Sequence, residues 1–72
     1  MYLVIELQKN SEGTLSNLVT THETLQEADS KFHQVLSYAA VSTIPLHSAT
    51  ILTERGKMIR NEYYEHKETE QE

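Results

Sequence analysis

Four histidines, His22, His33, His47 and His66, and 11 acidic residues are the groups in this chain best suited to chemistry. A hydrolytic zinc site needs three converging protein ligands and one open position. The sequence has no Cys, so those ligands would have to be His33, His47 and a carboxylate. No pair of histidines shares a helical face at four-residue spacing. His22-Glu23 has no second histidine four residues on, so the H-E-x-x-H arrangement is absent. Nucleophilic catalysis finds no better support. No G-x-S-x-G elbow exposes a serine, and Asp29 is the sole aspartate. Gly13 and Gly56 are the only glycines, too few for a loop that cradles phosphate. A chain of 72 residues also leaves little room for a concave pocket. The residues therefore predict no catalytic, cofactor-binding or metal site, and no cofactor. A metal-dependent activity through His33 and His47 stands as an alternative. His47, next to Pro45-Leu46, is expected to hydrogen-bond across a helix-to-strand connection.

Acid exceeds base, 11 residues against 6, for a formal net charge of −5. Binding to phosphate backbones relies on clustered Lys and Arg. Here the one grouping, Arg55, Lys57 and Arg60, surrounds a predicted turn. Nucleic acid is not an expected partner. No apolar run approaches the roughly 18 residues of a membrane helix, and MYLVIELQ lacks the basic stretch that opens a secretory signal. Neither a membrane partner nor export is expected. The length allows one small domain, and the missing Cys excludes a disulfide scaffold.

These groups must be held by local elements. Residues 2–8 alternate, with Leu3, Ile5 and Leu7 on one face of a strand and Tyr2, Val4, Glu6 and Gln8 on the other. Asn10 to Gly13 is turn chemistry, and residues 14–22 read as a second strand. Thr24-Leu25-Gln26-Glu27 has the spacing of a capping box. Leu25, Ala28, Phe32, Val35, Leu36 and Ala39 then recur at three- and four-residue steps, which predicts a helix over 24–41. The helix should end before Pro45, because the residue ahead of proline avoids the helical region. Residues 46–53 and 58–64 read as two more strands about a turn at Gly56.

The fold class is therefore α+β, in the order β-β-α-β-β. One helix should pack on a four-stranded antiparallel sheet of order 2-1-3-4, the more apolar first and third strands lying at its centre. The helix connects the second and third strands as a split β-α-β unit with a right-handed crossover. Residues 1–64 form the domain, and 65–72, with no apolar residue, are expected to be a disordered acidic tail. The expected core is Leu3, Ile5, Leu7, Leu25, Ala28, Phe32, Val35, Leu36, Ala39, Ala49, Ile51 and Ile59. The opposite face, through Tyr2, Val4, Thr50, Leu52, Met58 and Tyr64, is expected to be a protein interface. A chain this short buries only about 60% of its unfolded surface, so a homodimer or higher oligomer is favoured, most simply about a two-fold axis.

The run Ser30–Thr53 resembles small proteins encoded by bacteriophages and prophages of Firmicutes gut bacteria, with a pattern SKYH…LAAAAVS…P-V-H-S-A-x-I-L-T-x-x-G. It is met here by Ser30-Lys31-Phe32-His33, Ala39-Ala40-Val41-Ser42, Pro45-Leu46-His47-Ser48-Ala49, Ile51-Leu52-Thr53 and Gly56. The likeness covers roughly residues 1–64 and departs at Arg55-Gly56-Lys57-Met58 and in the charged tail. It implies a phage setting, with late tail or lysis genes as neighbours, and brings no activity to carry over. The expected function is that of a non-enzymatic phage accessory or structural protein. It would act by self-association and by contact with other phage or host proteins, in the bacterial cytoplasm or on the virion. An alternative makes it an acidic inhibitor or regulator of a host nucleic-acid-binding protein.

Overall fold

Turn chemistry sets both hairpins. In the computed structural model, which describes residues 1–66, the Asn10 side-chain oxygen accepts from the backbone N–H groups of Glu12 and Thr14, each at 2.9 Å. Gly13 follows at φ +88°, a conformation open to glycine because it has no Cβ. Strands β1 (Tyr2–Lys9) and β2 (Leu15–His22) leave this turn antiparallel. In the second hairpin the Thr53 hydroxyl accepts from the N–H groups of Arg55 and Lys57, and Gly56 takes φ +89°. It joins β3 (Leu46–Thr53) to β4 (Met58–Glu65).

Helix α1 (Leu25–Val41) lies between the hairpins. Its Thr24 cap accepts from the Glu27 N–H at 3.2 Å, as the capping-box spacing requires. The Glu27 carboxylate accepts from the Glu23 N–H, one residue ahead of the cap. At the other end Ser42 leaves the helix in an extended conformation, and its hydroxyl accepts from the Ile44 N–H just before Pro45. No helix among the described residues is long and apolar enough to cross a membrane.

The sheet order is β2-β1-β3-β4, fully antiparallel, with the helix on one face and chiefly over β3. This is the α+β architecture expected from the sequence. Val4, Ala28, Phe32, Val35, Ala39, Ala49 and Ile51 are the buried apolar residues, with Tyr2 and Leu36 packed against them. Ala28, Ala39 and Ala49 allow the helix to sit close to the sheet. Glu65 belongs to β4, and the His66 N–H donates to Pro45 O at 2.8 Å, so order runs past the expected boundary at 64. The rest of the expected tail lies outside the described residues.

β1 faces the opposite way from the expectation. Val4 is 1% exposed under the helix and Tyr2 packs beside it. Leu3, Ile5 and Leu7 alternate onto the uncovered side, half-buried only by their neighbours in the sheet. The register explains the reversal. Val4 pairs with Ile51, Glu6 with Ala49 and Gln8 with His47. A buried histidine in β3 needs hydrogen-bond partners, and the even face of β1 supplies them in Glu6 and Gln8, where the odd face carries Leu3, Ile5 and Leu7 ahead of the terminal Lys9. Two further core expectations fail. Leu25, in the first turn, is 39% exposed, and Ile59, at the bulge where Ile51 pairs with Arg60 and Leu52 with Met58, is 38% exposed. Tyr64 pairs with His47 and so lies on the helix side, away from the expected interface. Thr50, Leu52 and Met58 do lie on the open face.

Candidate functional site

Two regions of the structure bear on function: a buried polar triad beneath the helix and the open face of the sheet. In the triad, His47 is 2% exposed. Its Nε2 lies 2.6 Å from Glu6 Oε2, and Gln8 Nε2 donates to the same oxygen at 2.9 Å. A carboxylate only accepts, so the hydrogen-bond network puts a proton on His47 Nε2. The 3.4 Å approach of Gln8 Nε2 to His47 Nε2 is then two donors converging on one acceptor. His47 Nδ1 is buried and meets no partner among the described residues. With one ring nitrogen committed to Glu6 and the other enclosed, the imidazole ties β1 to β3.

Burial pushes the Glu6 carboxyl upward. The hydrogen bonds from His47 and Gln8, with the charges of His47 and Lys31, outweigh that and hold it below the ordinary value of 4.5. A depressed carboxylate contributes stability that is present above its unfolded pKa and is lost as pH falls through its folded pKa. The urea midpoint of the native chain should therefore drop as pH falls from about 5 to about 3. Glu6→Gln should start lower at neutral pH and drop less over that window. Equal slopes for the two proteins would contradict this assignment.

The other histidines do not join His47. His33 is exposed on α1, with Nδ1 2.8 Å from Asp29 O and its ring edge-on to Phe32. His22 Nε2 meets the Thr20 hydroxyl, and His66 Nε2 meets Ala39 O while its ring stacks on Tyr64. His33 and His47 are not brought to one site, and no group of three His, Asp or Glu converges among the described residues. The hydrogen bond expected of His47 runs across the sheet to β1, not across the connection to the helix. The signal for it in the sequence was the polar pair Glu6 and Gln8 on one face of an otherwise apolar strand.

The open face is built by alternation from all four strands. The registers place Leu3, Ile5 and Leu7 beside Thr21, Val19 and Asn17 of β2, and beside Leu52, Thr50 and Ser48 of β3. β4 adds Met58, Asn61 and Tyr63, opposite Leu52, Thr50 and Ser48. Val19, Met58 and Tyr63 are well exposed. The polar centre is internally satisfied, since Asn61 Nδ2 donates to the Thr50 hydroxyl at 2.8 Å. Charge is nearly absent: Lys9 and Glu65, both at one end, are the charged strand residues on this side. Glu6, Arg60 and Glu62 lie on the helix side, where Arg60 Nε pairs with Asp29 at 3.0 Å.

No protein-family model, curated protein or solved structure matches the chain.

Proposed function

We propose that this chain is a non-enzymatic structural or accessory protein that works by self-association, a second copy covering the open sheet face. The observation that carries the reading is the uncovered Leu3, Ile5 and Leu7 stripe in central strand β1, flanked by Val19 of β2 and Leu52 of β3, with Met58 of β4 beside Leu52. A sheet with one wet face normally alternates apolar and polar residues, whereas strands apolar on both faces belong to sheets covered twice. Charge supports the choice of a second copy. A chain of net charge −5 repels its own kind over most of its surface, and the open face, one Lys against one Glu, is where that repulsion is weakest.

Area supports it too. Four strands about 4.8 Å apart and eight residues of about 3.3 Å give a face of roughly 500 Å². Two such faces approach the ~1,000 Å² at which a specific interface becomes credible. The phage setting rests on the resemblance of Ser30–Thr53. The association is tested by thermal unfolding at different concentrations. A hundredfold rise in concentration stabilises a folded dimer by about 1.4 kcal/mol per chain, and so should raise Tm by about 6–11 °C. A Tm independent of concentration would contradict the reading.

A further inference from the structure

The placement of two charges determines how the second copy sits, given the self-association proposed above. Lys9 and Glu65 flank Leu46 in one row across β1, β3 and β4, and the three line a shallow hollow with Pro45. Neither charge enters an ion pair among the described residues. Leu15 of β2 completes that row, and the row at the far end of the same face, Thr21, Leu3, Leu52 and Met58, carries no charge. Each copy therefore presents a charged end and an apolar end.

Two sheets packed with their strands aligned can be related by a two-fold axis running across the strands or along them. An axis across the strands would lay the Lys9 and Glu65 end of each copy on the apolar end of the other. Both charges would lose water with no compensating partner. An axis along the strands keeps like ends together and reverses the strand order, so that β1 lies over the partner's β3. Lys9 then stands one strand from both the partner's Glu65 and the partner's Lys9, each about 4.8 Å sideways and about 10 Å between sheets, so two opposite-charge approaches are set against one like-charge approach. Two long side chains reaching toward each other span that gap. Symmetry makes the pair twice, at the rim, where ion pairs fix register more than they add affinity. We infer that two copies pack sheet to sheet about an axis parallel to the strands, with Lys9 of each beside the partner's Glu65.

The chain has no Cys, so a single introduced thiol carries a unique label. Glu12→Cys places a spin label in the exposed β1–β2 turn, at the charged end of the sheet. With the axis along the strands the two turns lie about 14 Å apart, two strand spacings sideways and one sheet spacing across. With the axis across the strands they lie at opposite ends, more than about 30 Å apart. An intermolecular label separation under about 25 Å, allowing for the label arms on that backbone spacing, is the expected result. A separation above 30 Å would overturn the arrangement while leaving self-association intact. No intermolecular coupling at all would overturn self-association itself, and the arrangement with it. Lys9→Glu should weaken association several-fold, and adding Glu65→Lys should restore it; failure of that restoration would also overturn the arrangement.

Discussion

Phe32→Ala is expected to leave the chain largely unfolded at micromolar concentration. The ring is 2% exposed and sits in the one apolar cluster beneath the helix, with Val4, Val35, Ala49 and Ile51. Truncating a buried Phe costs about 3–5 kcal/mol, part lost transfer energy and part cavity. A domain of 72 residues has a total stability of roughly 4–11 kcal/mol on the usual scale of 0.05–0.15 per residue. One helix covering one face places this chain toward the lower end of that range. Ala28 and Ala49, in the same cluster, have only a methyl group each with which to close the gap. Far-UV circular dichroism through a urea titration checks this. A cooperative transition with a native-like midpoint would show that Phe32 is not the centre of the core.

The second large effect separates two adjacent residues. Val4→Glu puts a carboxylate at a site 1% exposed and should abolish folding. Ile5→Glu, on the open face, should fold and lose self-association. In the proposed pair it sets two carboxylates within a closely packed apolar seam, and like charges there cost several kcal/mol. The variant should remain helical and cooperative by circular dichroism, and its Tm should no longer rise with concentration. Ile5→Thr keeps the branched Cβ that strands favour and should weaken association without the charge. It provides the reading if the Glu variant proves too unstable to study. An Ile5→Thr chain with native concentration dependence would remove this residue from the interface.

Much of this fold was legible because its signals are local. The Thr24-to-Glu27 spacing, the Phe32 stripe, Pro45 and the two turn glycines each act over a few residues, and each element formed where they indicated. Strand order followed from relative apolarity and from the short connections. What could not be read was which face of β1 meets the helix. Alternation splits Leu3, Ile5 and Leu7 from Tyr2, Val4, Glu6 and Gln8, but apolar count alone favours the leucine face. The decision lies in a pairing 41 residues apart, Glu6 with His47, which no local pattern encodes. The same pairing explains why the interface residues expected on β1 were Tyr2 and Val4, whereas Leu3, Ile5 and Leu7 occupy that side. The reversal makes the open face more apolar than the sequence suggested. It also moves Glu6, the one charge expected to break that face, beneath the helix.

Sedimentation equilibrium of the native chain over about 1–100 μM, a range that brackets micromolar association, tests most directly whether the bare side of the sheet is covered by its own kind. The expected mass rises with concentration toward 16.6 kDa, twice the 8.3 kDa of one chain. A mass fixed at 8.3 kDa across the range would contradict it.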